Sequence, residues 1–209
     1  YPDAEMYIST PESSQKAFES YVGDAQRRYE HDLRHPNEPK QIKPGENVQY
    51  DPATGRVSVS GQVAVMAING LLTKDMFDKN PDLDFYVEES FPLDWMYPHL
   101  TPYGIIMKIE RNPVPEYTQE IVDRDHEFWS KYSDRLIGNW ITYDTSVAEI
   151  CQFAERVYHF RDFTDFKGDP KFIRDDNAKK AFSKLRSAIA GVYYWRINHA
   201  GGKGNIAEQ

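Results

Sequence analysis

The sequence predicts an α/β fold in two parts, an α/β layer with a β-hairpin over residues 1–113 and an all-helical stretch over residues 114–209. Three observations carry this expectation. Residues 85–109, FYVEESFPLDWMYPHLTPYGIIMKI, read as strand, shaped crossover and strand. Apolar residues alternate around residues 48–59, the period of a strand. Beyond Pro115 they recur only at three- and four-residue intervals, the period of helices. Asn112-Pro113-Val114-Pro115 forms a stiff linker between the two parts.

In chain order, residues 5–9 (EMYIS) read as a short strand, stopped by Thr10-Pro11. Threonine as N-cap and proline at the first helical position then open a helix, with Phe18, Val22, Ala25, Tyr29 and Leu33 as its apolar stripe. His35-Pro36 marks its end. Val48 and Tyr50, then Val57 and Val59, flank the turn Asp51-Pro52-Ala53-Thr54-Gly55 and predict a hairpin. Ser60 stands as the cap of a helix over residues 62–79, where eighteen residues of apolar character favour helix over strand; residues 63–68 alone also fit a strand. The central strand follows at residues 85–87. Prolines 92, 98 and 102 then remove backbone donors and allow at most a turn of helix, at residues 93–97, before the apolar run 105–109.

Three helices are expected in the second part. One covers residues 116–137, with Tyr117, Ile121, Phe128, Tyr132 and Leu136 on its stripe and Gly138 as its C-terminal cap. The next covers residues 146–160, where Ser146 and Glu149 have capping-box spacing and the stripe runs through Val147, Ile150, Cys151, Ala154, Val157 and Tyr158. The last covers residues 177–198, with Phe182, Leu185, Ile189, Val192 and Trp195 inward. Short connections make these stacked antiparallel hairpins. The lone Cys151 cannot form an internal disulfide, and its place on a stripe predicts a buried, inert thiol.

A formal charge of −8, with Lys and Arg scattered among acids, excludes a nucleic-acid binder and an anionic membrane surface as main partner. No apolar run approaches the ~18 residues of a membrane span. No His-Glu-x-x-His, CxxC pair, GxxxxGK[ST] or GxSxG occurs, so no cofactor, metal or catalytic residue is assigned. The glycines of AGGKGNIAEQ follow a helix and make a tail, not a phosphate loop. The start at Tyr1 without a signal peptide, and that tail, suggest an internal piece of a longer polypeptide.

One cluster invites chemistry. Glu88, Glu89, Asp94 and His99 lie close in sequence after a strand end, where paired carboxylates and an imidazole suit acid–base work or a divalent cation. Their spacing matches no motif with a defined mechanism, and a solvated acidic strand end is the favoured reading. Trp95, Tyr97 and Tyr103 beside those acids suit a stacking platform for hydroxyl-rich ligands, although core filling competes. Asp123-Arg124-Asp125-His126 falls on a helix where neighbours point apart, and reads as a solvent face.

The segments TPESSQKAFESYVGDAQRR, HPNEPKQIKPGENV, SGQVAVMAINGLL, FYVEESFPLDWMYPHLTPYGIIMKI, GNWITYDTSVAEIC and DDNAKKAFSKLRSAIAGVYYWR resemble the soluble region of large bacterial multi-span membrane proteins. That family is glycosyltransferase-like, similar to protein O-mannosyltransferases, and carries C-terminal tetratricopeptide repeats. The resemblance runs from Met6 to about Arg196. It implies a Rossmann-like α/β layer preceded by a further strand and helix, then tetratricopeptide-like helical hairpins. It also implies that the catalytic carboxylate lies in a membrane domain outside this chain, so no catalytic residue carries over. The expected role is a non-catalytic extracytoplasmic domain on the periplasmic side, working with its own membrane domain on a protein or glycan acceptor. Binding would fall to Glu88, Glu89, Asp94, Trp95, Tyr97, His99 and Tyr103. The alternatives are an independent small enzyme or metal-binding protein using Glu88, Glu89, Asp94 and His99, and a purely structural or interaction module.

Overall fold

The computed structural model describes residues 5–88, 93–142 and 144–199, a mixed α/β chain with two small antiparallel sheets among those residues. Contacts gather it into two compact units. The described residues up to Leu83, with Leu93–Trp95, form the first, and the remaining described residues from Asp84 onward form the second. The sequence places its boundary at 113/114; by contacts, the strand at Phe85–Val87 groups with the second unit, where its pairing partner lies.

In the first unit α1 spans Pro11–Arg34. Thr10 caps it as expected: Thr10 Oγ1 accepts from Ser13 N at 3.2 Å, and Thr10 N donates to Ser13 Oγ at 2.8 Å. Its buried face is Ala17, Tyr21 and Ala25, while Phe18 and Leu33 are 44% and 63% exposed. The predicted stripe is therefore out of phase at those two positions. Two alanines permit close approach, and Tyr21 finds a partner for its hydroxyl, so the burial follows packing and hydrogen bonding more than side-chain apolarity. Residues 5–9 form no strand. Instead the Asn80 amide acts as a substitute strand neighbour, accepting from Tyr7 N at 2.7 Å and donating to Tyr7 O at 2.9 Å. The hairpin forms as predicted, β1 Asn47–Asp51 against β2 Arg56–Ser60, with Gly55 at positive φ in the turn. Helix α2 covers Gln62–Lys79, but Gly61 (φ 93°) stands at its N-cap in place of Ser60.

In the second unit β3 (Phe85–Val87), β4 (Leu100–Tyr103) and β5 (Ile106–Ile109) pair antiparallel in the order β3-β5-β4. A Rossmann-like layer needs parallel neighbours, and the described strands supply none. The physical reason is β4, which the sequence reading missed. Pro102 marked it as loop, yet β4 is an edge strand, where proline costs no ladder bond. A tight turn at Gly104 (φ 69°) then returns the chain directly into β5. The expected turn of helix at residues 93–97 is displaced to a 3-10 turn at Tyr97–His99.

Leu100, Pro102, Met107 and Ile109 form the buried face of this sheet. Helices α3 (Gln119–Ile137) and α6 (Asp176–His199) pack against it with Trp129, Ile189 and Val192. Gly138 closes α3 in the left-handed conformation, its N–H donating to Ser133 O and Asp134 O, as the sequence predicts. Helix α4 (Val147–Phe153) opens with the Ser146–Glu149 capping box and continues into a wider π-type turn over Ala154–His159. A short α5 (Pro170–Arg174) precedes α6. Cys151 is exposed, not buried, because α4 and the π-type turn direct Phe153 and Val157 inward and leave Val147 and Ile150 outward. No helix among the described residues is long and apolar enough to cross a membrane.

Candidate functional site

The residues singled out from sequence acquire separate partners. Glu88 is exposed and lies 3.5 Å from Lys184 Nζ. Glu89 lies outside the described residues. The Asp94 side chain is 91% exposed and meets Lys43 Nζ at 3.2 Å. Trp95 packs on α2: its Nε1 donates to Thr73 Oγ1 at 3.4 Å, and its ring stands 5.3 Å from Phe77. Tyr97 stacks on Trp195 (5.3 Å, 20°), which stacks in turn on His199 (4.4 Å, 12°). His99 itself is half-buried, its Nδ1 donating to Glu110 O at 2.7 Å. Tyr103 remains half-exposed beside Tyr86, ring centroids 5.1 Å apart, with the Arg124 guanidinium 6.0 Å away. Asp94 and Trp95 belong to the first unit and the other described members to the second. Among the described residues no group of three or more His, Cys, Asp or Glu is placed to hold a metal.

Two polar networks that sequence reasoning missed are structural. In the first unit the Glu46 side chain is 1% exposed and takes a bidentate pair from Arg28, Nη1 at 2.6 Å and Nη2 at 2.7 Å. Tyr21 Oη and, at 3.0 Å, Lys43 N donate to the same carboxylate. The Arg28 hydrogen bonds hold the Glu46 carboxyl down at about 2, against the opposing effect of burial. Burial, then the bond to Glu46, pushes the Tyr21 hydroxyl up to about 12. In the second unit Asp125, expected on a solvent face, is buried and accepts from Trp129 Nε1 and Tyr193 Oη, both at 3.1 Å. Burial raises its carboxyl above the ordinary range, and the two hydrogen bonds oppose that only in part. Nearby, Arg196 is buried with its guanidinium 3.9 Å over the Tyr117 ring, while Tyr117 Oη donates to Leu100 O at 2.6 Å.

A cavity of about 610 Å³ in the second unit is different in kind. It lies where α3 ends, between α4 with its π-type turn and the loop before α5. Gly138 turns the chain and Asn139 follows at φ 47°, delivering Trp140 to one wall. Phe153 comes from α4 and stands 4.1 Å from Trp140, tilted by 33°. Phe166 joins from the opposite loop, 6.0 Å from Phe153. That loop lies directly on the end of α3. A Cβ at Gly168 would fall 2.4 Å from Leu136 O and 2.7 Å from Ile137 Cα, so only glycine fits there, and Asp169 N donates to Leu136 O at 3.1 Å.

The rim carries Glu149, Arg156, Asp165 and Lys167. Two acids and two bases therefore share one cavity, yet among the described residues no ion pair joins any of them. Asp165 sits at φ 56°, a second left-handed non-glycine on the rim. Sparsely populated backbone conformations of this kind gather at ligand sites. In the wall, Trp140 Nε1 is shielded from solvent and has no acceptor among the described residues. An unsatisfied buried donor costs about 1–3 kcal/mol. The volume falls within the ~300–1,000 Å³ of small-molecule sites, and an apolar floor with a few polar groups is their usual lining.

Compared with protein-family models, curated proteins and solved structures, the chain matches none.

Proposed function

We propose that this chain is the non-catalytic extracytoplasmic part of a bacterial membrane glycosyltransferase-like protein, and that it binds or positions an acceptor, protein or glycan, for a reaction centre in the membrane domain. The single observation that supports an acceptor role is the Trp140–Phe153–Phe166 cavity, a formed recess whose four rim charges form no ion pair with one another among the described residues. The segment resemblance supports the parent architecture and a periplasmic placement. On this reading residues 1–113 belong to a Rossmann-like layer whose parallel strand is supplied by the parent protein. The helices beyond Pro115 lead into tetratricopeptide-like hairpins, and the own membrane domain is the principal partner. The negative charge is in keeping with a protein or glycan ligand and not a nucleic acid.

The test is a calorimetric titration of the purified 209-residue chain with extended peptides and with oligosaccharides. Saturable binding of either, weakened by Phe153→Ala with an unchanged circular dichroism spectrum, is the expected result. A folded chain that binds neither class overturns the reading, as does turnover of any glycosyl donor by this chain alone.

A further inference from the structure

The cavity at the end of α3 is built for a neutral ligand with one apolar face and a polar circumference, and we infer that it takes the pyranose ring of a glycan. The inference rests on the acceptor-binding reading above and narrows it to one chemical class.

Charge supplies the first step. Glu149 and Asp165 balance Arg156 and Lys167 around the opening, so the cavity offers no net field to select an ion of either sign. All four are exposed, and no ion pair among the described residues joins them, so donors and acceptors both stand at the opening. Glu149 uses only one carboxylate oxygen, Oε2, to cap α4, and Arg156 commits only Nη1, to Thr164 O at 2.8 Å. Gln152 adds an amide, which donates and accepts at once. A peptide hydrocarbon side chain would leave all of these unsatisfied. A lone cation or anion would meet two like charges along with two opposite ones, so neither sign is favoured.

Shape supplies the second. Trp140 and Phe153 are 33° from parallel at 4.1 Å, and Phe166 stands farther off at 6.0 Å from Phe153. These walls present aromatic surface without closing a box around a spherical head group, the arrangement that favours quaternary ammonium ions. A pyranose places its C–H bonds on one face and its hydroxyls around the edge, matching an aromatic wall with a mixed polar rim. Hydroxyls both donate and accept, so one ring can engage carboxylate, amide and guanidinium together.

The experiment titrates the full 209-residue chain with a panel of neutral methyl pyranosides and short neutral oligosaccharides, followed by calorimetry and backbone NMR. Extended peptides and tetramethylammonium serve as competing probes. Saturable saccharide binding that shifts resonances of residues 138–142, 149–156 and 163–168 is expected. Its affinity should change by less than about twofold between about 50 and about 500 mM salt, because the ligand is uncharged. Phe153→Ala should weaken it about tenfold through lost stacking. Gln152→Ala, at an exposed residue whose side chain holds no other element in place, should weaken it several-fold at unchanged melting temperature, which covers the case of an unfolded Phe153 variant. Peptide binding at these residues without saccharide binding overturns the pyranose assignment and leaves the acceptor reading standing. Tetramethylammonium binding with strong salt dependence also overturns it. Absence of binding by every probe overturns both.

Discussion

The Glu46 cluster of the first unit and the Trp140 cavity of the second are both built from charged and aromatic side chains, but they differ in what each leaves over. Around Glu46 both carboxylate oxygens are taken, Arg28 bonds Asp24 as well as Glu46, and the tyrosine hydroxyl has its acceptor. Such a closed network holds the segment before the hairpin onto α1 and has nothing left to offer a ligand. At the cavity, among the described residues, four rim charges form no ion pair and an indole N–H finds no acceptor, while two non-glycine residues adopt positive φ. Polar satisfaction thus separates a structural cluster from a binding site better than residue type does.

The largest effect that sharpens this contrast is expected at Glu46. Glu46→Ala strands Arg28 and Tyr21, and should cost about 3–5 kcal/mol in urea unfolding. Glu46 has its folded value near 2, against an ordinary value of 4.5. Its contribution is fully present above 4.5 and lost as pH falls from there toward 2, about 3 kcal/mol in all. A Glu46→Ala variant should therefore show a flatter acid limb than the parent. Gly168→Ala comes next. Its Cβ meets backbone atoms of Leu136 and Ile137, so the loop must lift from α3, with a loss on the order of 3 kcal/mol and weakened ligand binding.

Asp125 gives a smaller effect of opposite sign. Its folded carboxyl lies above the ordinary 3.8, so it favours the folded state below that value and loses this contribution as pH rises through the raised folded value. Asp125→Asn keeps the shape and removes the buried charge. The variant should gain stability relative to the parent as pH rises, measured as the difference between the two unfolding curves across pH. The smallest effect is at the cavity wall. Trp140→Phe removes the unpartnered donor and retains a ring, so it should raise stability by about 1 kcal/mol, where loss of an ordinary core tryptophan would lower it. A stability loss there would break the contrast between the two regions.

Much of the fold was legible because it is set locally. Thr10-Pro11, Ser146 with Glu149, and Gly138 each satisfy orphan backbone groups within a turn, and the hairpin turn is fixed by Asp51 and Gly55. What was not legible depends on distant partners. Pro102 conceals β4 because proline alone does not reveal whether its strand is an edge. Tyr7 looks like strand until Asn80 substitutes for the neighbour. Asp125 looks solvated until Tyr193, far along the chain, covers it. Exposed Cys151 follows from the rotation of α4, which turns the predicted stripe partly outward at Val147, Ile150 and Cys151. Of the residues expected to bind, Trp95 proved to be packing for α2, and Tyr103 gained an aromatic neighbour in Tyr86. The cavity aromatics lie at positions 140, 153 and 166 in separate elements, and the close fit of Gly168 on the end of α3 is among the long-range contacts that bring them together. The one available cue was the Gly138-Asn139-Trp140 sequence after a helix, a cap followed by an aromatic with no stripe to join.

The most direct test of the central claim uses the four tryptophans, at positions 95, 129, 140 and 195, as reporters of where a ligand enters. Their indole N–H resonances are followed as a neutral oligosaccharide is added to the ¹⁵N-labelled chain. The Trp140 signal should move saturably while those of Trp95, Trp129 and Trp195 hold still. An unmoved Trp140 signal under saturating oligosaccharide, or a shift confined to Trp95 or Trp195, would contradict the account.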